Sequence, residues 1–173
     1  MFGYDWPRFH AALNDLPAAL LVVAVLFDFA AWALKRESLK WAGIWTLWAG
    51  VIGGWAAVIA GEQAEDVIEH GDAIHDLMES HETLALATMI VFTVVLAWQL
   101  WRRFDPRAPE QWVLRVLSLA GLALVVRTGQ VGGKLLFDHA AGVPTKAMQA
   151  ELEDRAAAHR HSAADSAAHD DEH

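Results

Sequence analysis

The residues able to do chemistry in this chain are its histidines and a set of nearby carboxylates. His10, His81 and His139 stand at the ends of apolar runs, and His70 and His75 lie in an acidic stretch beside Glu62, Glu65 and Glu82. Two neutral imidazoles from different helices can ligate haem iron axially, with small residues making room for the macrocycle. The same histidines with Glu62, Glu65 or Glu82 would instead form a mixed nitrogen and oxygen site for a divalent transition metal such as zinc, copper or iron. The bland alternative is a set of interfacial histidines that only hydrogen-bond water. No contiguous ligand motif such as HExxH is present. There is no cysteine, which excludes disulfides, iron–sulfur clusters, covalent c-type haem and thiolate zinc sites.

The elements that must position these groups are four apolar runs: Leu16 to Leu34, Trp41 to Gly61, Leu84 to Trp101 and Trp112 to Phe137. Each meets or approaches the roughly 20 residues needed to cross a hydrocarbon core of about 30 Å. None shows the polar outer face that a soluble bundle requires every turn. The expected fold is therefore all-α, an integral membrane four-helix bundle over residues 1–146 that contacts the lipid bilayer. A polar tail, residues 147–173, should be mobile, because it has few large apolar side chains to bury. Its His159, His161, His169 and His173 would bind metal only weakly and without specificity. The opening MFGYDWPRFH lacks the cationic region and cleavage site of a secretory signal, so it is read as part of the mature chain.

Orientation follows from charge. Lys35, Arg36 and Lys40 lie between the first two runs and Arg102, Arg103 and Arg107 between the last two, while Gln63 to Ser80 has no Lys or Arg. The positive-inside rule places both basic loops in the cytoplasm and both termini outside, the periplasm for a bacterial inner membrane. Trp32, Trp41, Trp45, Trp98, Trp101 and Trp112 would form an aromatic belt at that inner interface. The acidic connection has helical spacing, so its flanking helices should extend beyond the membrane. It is either a solvated face or a surface that docks a cationic partner, such as a periplasmic protein. The net charge is −9 and no basic stripe exists, which makes nucleic acid an unsuitable partner.

Counting 1.5 Å per residue, His10 lies about 37 Å above Lys35, Glu62 about 33 Å above Lys40, His81 about 32 Å above Arg102 and His139 about 45 Å above Pro109. All four reach the outer interface. Asp28 and Arg115 sit about 10 and 9 Å from the inner end, which predicts a structural ion pair. Arg127 lies in the outer half with Gln130 and Lys134 on its face. A cation there is costly in lipid, so it should pair with Glu62 or Glu65 or, with Lys134, hold haem propionates. On the second run Gly43, Gly50, Gly54, Ala57 and Gly61 share one face, opposite Trp41, Trp45, Trp48 and Trp55; the fourth run carries Gly121, Gly129 and Gly133. Small residues let helices approach closely in lipid, so these faces are expected packing seams.

The segment HAALNDLPAAL from His10 resembles the HPxxVHFPIAL-like opening of the membrane family known as domain of unknown function 2231. HETLAL from His81 resembles that family's third-helix start, and GGKLLFDHAAGV from Gly132 its GGxLVYxHGxGV ending. Asp15 stands where the family often has a second histidine, which counts against two histidine ligands on one helix. The resemblance implies a four-helix layout like that of small b-type cytochromes and assigns no activity. The favoured expectation is a membrane electron-transfer protein holding haem b through two of His10, His81 and His139. A non-haem metal site on the same residues, or an accessory subunit of a larger membrane complex, are the alternatives. Whether the chain is an enzyme is left open.

Overall fold

The computed structural model describes residues 5–68 and 72–170. Five α-helices follow in order: α1 (Trp6–Leu34), α2 (Glu37–Glu65), α3 (Asp72–Trp101), α4 (Ala108–Phe137) and α5 (Thr145–Asp170). The first four are long and apolar enough to cross a membrane, and there is no strand among the described residues. Contacts divide the chain into two units, Met1–Ala141 and Gly142–His173.

Local chemistry sets the helix ends. Asp5 caps α1 by accepting from the Arg8 backbone N–H at 3.2 Å, with Pro7 in the first turn, where its missing N–H costs nothing. Lys35, in the left-handed region at φ 52°, turns the chain so that α2 begins two residues later. Arg103 and Phe104 break α3 in the same way, ahead of Pro106. Glu110 then ties down the start of α4: its carboxylate accepts from the Arg107 backbone N–H and from Arg102 Nε at 3.0 Å. As expected, α2 and α3 run past the apolar segments into the acidic connection.

In the first unit α1 packs on α2, α2 on α3, α3 on α4 and α4 back on α1. Consecutive helices are antiparallel, so α1 and α3 run in the same direction and stand diagonally opposed. Phe92, Leu21 and Val95 are the largest fully buried side chains among the described residues. The outward faces are apolar, Trp45 being 70% and Ile52 63% exposed, which suits a hydrocarbon surround. The expected ion pair is present: Arg115 Nε lies 3.2 Å from Asp28 Oδ2, and its guanidinium sits 5.4 Å from the ring centroids of both Trp32 and Trp112. Removing the carboxylate alone should cost more than removing the pair, because a lone buried cation is left behind. Asp28→Asn should lower stability in detergent by about 2 kcal/mol, whereas Asp28→Asn with Arg115→Met should recover most of the loss. Thermal unfolding of the single and double variants measures this; a double variant worse than the single would show that the pair itself is the main support.

The packing seams differ in part from expectation. Gly43, Gly50, Gly54 and Ala57 are buried in α2, as expected, but Trp48 and Trp55 also pack against the core. Trp55 Nε1 donates to Thr93 Oγ1 at 3.0 Å, so it belongs to the α2–α3 contact and not to an outer face. In α4 a Cβ at Gly121 would meet Phe92 at 2.8 Å, whereas one at Gly129 or Gly133 would meet nothing within 4 Å. The α4 seam therefore runs from Gly121 to Gly132.

The second unit is helical over Thr145–Asp170, where composition alone suggested a mobile tail. Alanine with Glu, Gln, Lys and Arg favours helix strongly without a core to pack on, and Arg155 pairs with Glu151 one turn earlier at 2.7 Å. Its side chains over residues 149–156 are exposed, so the helix buries almost nothing there.

Candidate functional site

His10, in the second turn of α1, faces α2. A carbonyl can only accept, so His10 Nδ1 donates to the Ala57 carbonyl, at 2.9 Å. The chain can come this close because Gly61, one turn along α2, has no side chain: a Cβ there would lie 3.0 Å from His10 Cε1. His81, in α3, repeats the arrangement against α4. Its Nδ1 donates to the Thr128 carbonyl at 3.1 Å, and a Cβ on Gly132 would lie 3.0 Å from its Cε1. Below it, Thr88 and Thr128 place their hydroxyls 3.4 Å apart, and each also donates to a carbonyl one turn back on its own helix.

These two arrangements are copies. His10 and His81, Ala57 and Thr128, and Gly61 and Gly132 are each 71 positions apart, as are the core contacts Leu21 on Gly50 and Phe92 on Gly121. The α1–α2 and α3–α4 hairpins are two parallel repeats, and an axis along the bundle relates them. The two histidines come together at that axis, with ring centroids 6.5 Å apart and planes at 88°.

The geometry has a definite chemical meaning. In the neutral ring, donation from Nδ1 puts the proton on that nitrogen and leaves the Nε2 lone pair free, the arrangement that binds metals. A metal ion held between two imidazole nitrogens on opposite sides of it, at about 2.0–2.1 Å each, would put the ring centroids roughly 6–6.5 Å apart. The observed spacing matches this. Among the described residues no three of His, Asp and Glu converge on one point, so the pair stands without a third protein ligand.

The remaining candidates lie elsewhere. His139 is exposed just past the α4 cap at Asp138, and His75 is exposed near the start of α3. His70 falls outside the described residues. Glu62, Glu65 and Glu79 each lie within electrostatic range of Glu82, one residue from His81, and make an acidic rim at the histidine end. Arg127 is exposed and donates to Gln130 Oε1 at 3.1 Å, and among the described residues no ion pair joins it to Glu62 or Glu65. Lys134 is exposed as well. Sequence reasoning placed Gly61 on a packing seam and Gly132 in a family motif, but it missed the carbonyls of Ala57 and Thr128 and the approach of each glycine to a histidine ring. The signal that could have found them is the 71-residue repeat of His, Gly50/Gly121 and Gly61/Gly132.

A family model described as predicted membrane protein (DUF2231) matches residues 7–145. That span holds both hairpins and both histidines. No curated protein and no solved structure matches the chain.

Proposed function

We propose that this chain, which belongs to the membrane family of domain of unknown function 2231, is an electron-transfer protein that holds one b-type haem between His10 and His81. The observation that carries the reading is the pair itself: two tautomer-locked imidazoles on the bundle axis, at the spacing of two axial ligands. Haem brings four equatorial nitrogens of its own, so two protein ligands complete it. A zinc site would need three or four from the protein. The two imidazoles of the pair match the number that haem requires. Bound haem supplies reversible one-electron chemistry, while the protein sets ligand orientation and burial. Arg127 and Lys134, on the outer half of α4, are the cations available to the propionates.

The histidine end faces the periplasm in this reading, because both basic loops lie at the other end. The acidic rim of Glu62, Glu65, Glu79 and Glu82 would there receive a cationic redox partner. Protein purified in mild detergent from haem-replete bacterial cells should show a Soret band and a sharp α-band on reduction, with about one haem per chain. A colourless protein would end the proposal. Reporter fusions at Lys35, Ser80 and the C-terminus should read inside, outside and outside; any other pattern removes the periplasmic assignment.

A further inference from the structure

The end of the bundle opposite the histidines holds a cavity of about 500 Å³ between the two hairpins. This is within the size range of small-molecule sites. Its lining is mixed: Val25, Leu47, Phe92 and Leu114 bring core apolar surface, Asp28, Gln99, Arg115 and Ser118 are polar, and Lys35, Arg36 and Lys40 add positive charge. Where its lining is apolar, an occupant would restore packing contacts that an empty space lacks.

Charge at the cavity is unbalanced. Asp28 and Arg115 line it but neutralise each other. Glu37 accepts a long hydrogen bond from Trp41 Nε1 at 3.4 Å. Among the described residues Lys35, Arg36 and Lys40 have no carboxylate within 4.0 Å. The repeat also breaks here. Asp28 and Arg115 stand where the other hairpin has Gln99 and Ile44, and all four residues line the cavity. The α1–α4 side is thus closed by an ion pair, while the α2–α3 side keeps the Gln99 amide with no hydrogen-bond partner among the described residues.

From this arrangement we infer that the cavity binds an anionic amphiphile: a phosphate or carboxylate head held by Lys35, Arg36 and Lys40, with an alkyl tail against Val25, Leu47 and Phe92. Phosphate and carboxylate match unpaired cations, and the Gln99 amide can donate to oxygens near the junction of head and tail. The tail supplies apolar atoms for the apolar part of the lining. The site is at the other end of the bundle from His10 and His81 and does not depend on haem.

Equilibrium binding of labelled dodecyl phosphate to the full chain in phosphatidylcholine nanodiscs tests this. Binding should saturate at about one per chain and exceed that of dodecyl maltoside, whose head is neutral, by about tenfold or more. Inorganic phosphate should compete poorly, because it lacks the tail. Arg36→Gln with Lys40→Gln, which leaves Lys35 to hold the topology, should weaken binding by about tenfold. Equal binding of the maltoside, equal competition by inorganic phosphate, or undiminished binding to the double variant would each overturn the inference. The first two comparisons use the unmodified chain, so they stand even if a variant folds poorly. Replacing part of the phosphatidylcholine with phosphatidylglycerol identifies the source. Loss of the probe points to a membrane lipid and its retention to a soluble amphiphile, and either result supports the site.

Discussion

His10→Ala and His81→Ala should each leave the purified protein without stably bound haem, measured as pyridine haemochrome per chain. Each imidazole is one of the two proposed ligands, and each is held by a backbone carbonyl beside a glycine. Losing either would remove half of the protein ligands that the proposed haem depends on. His139→Ala, His75→Ala and His159→Ala should keep full occupancy, since all three side chains are exposed. His139 was an equal ligand candidate from its depth alone; its side chain is exposed past the α4 cap, so the proposal rests on His10 and His81. A milder form of the same test uses Gly132→Val, which keeps both histidines but drives a side chain into His81 Cε1. It should reduce haem retention and shift the reduced α-band without abolishing binding. Full haem in both histidine variants would leave the pair as a packing contact. Loss of haem in His139→Ala alone would move the site to the end of α4.

Gly50→Leu and Gly121→Leu should each destabilise the bundle by about 3 kcal/mol or prevent folding, whereas Gly129→Leu and Gly133→Leu should be close to neutral. A Cβ at Gly50 would lie 2.9 Å from Leu21 Cδ2 and 3.3 Å from the Leu21 backbone nitrogen, so relief requires moving α1 itself. At Gly121 it would lie 2.8 Å from the ring of Phe92, which is 0% exposed and has nowhere to turn. In lipid, helices are held together by close packing more than by hydrophobicity, so separating them loses contacts that nothing replaces. Thermal unfolding in a mild detergent reads the difference. Equal damage from Gly129→Leu and Gly121→Leu would mean that the assigned face of α4 is wrong.

Much of this architecture was legible in the chain itself. Four apolar runs of membrane-crossing length can be little else than helices, because lipid offers no partner for an unpaired backbone. Depth along a helix is a simple count, and it correctly brought Asp28 to the level of Arg115 and placed His10, His81, Glu62 and His139 near one end. The tightest α2 seam was also readable, since small residues at helical spacing have one reason to align.

What the count could not supply was rotation. Each step along a helix turns 100°, so residues at one depth point in any direction until neighbouring helices set the azimuth. Only the packed bundle showed that His10 and His81 meet at the axis while His139 lies outside, and that Gly132, not Gly129 or Gly133, touches a partner. The repeat joining the two histidines was present in the sequence, yet few side chains survive in both copies. What the copies share is backbone contact, a ring nitrogen on a carbonyl and a glycine beside it, and such contacts exist only once the helices are side by side.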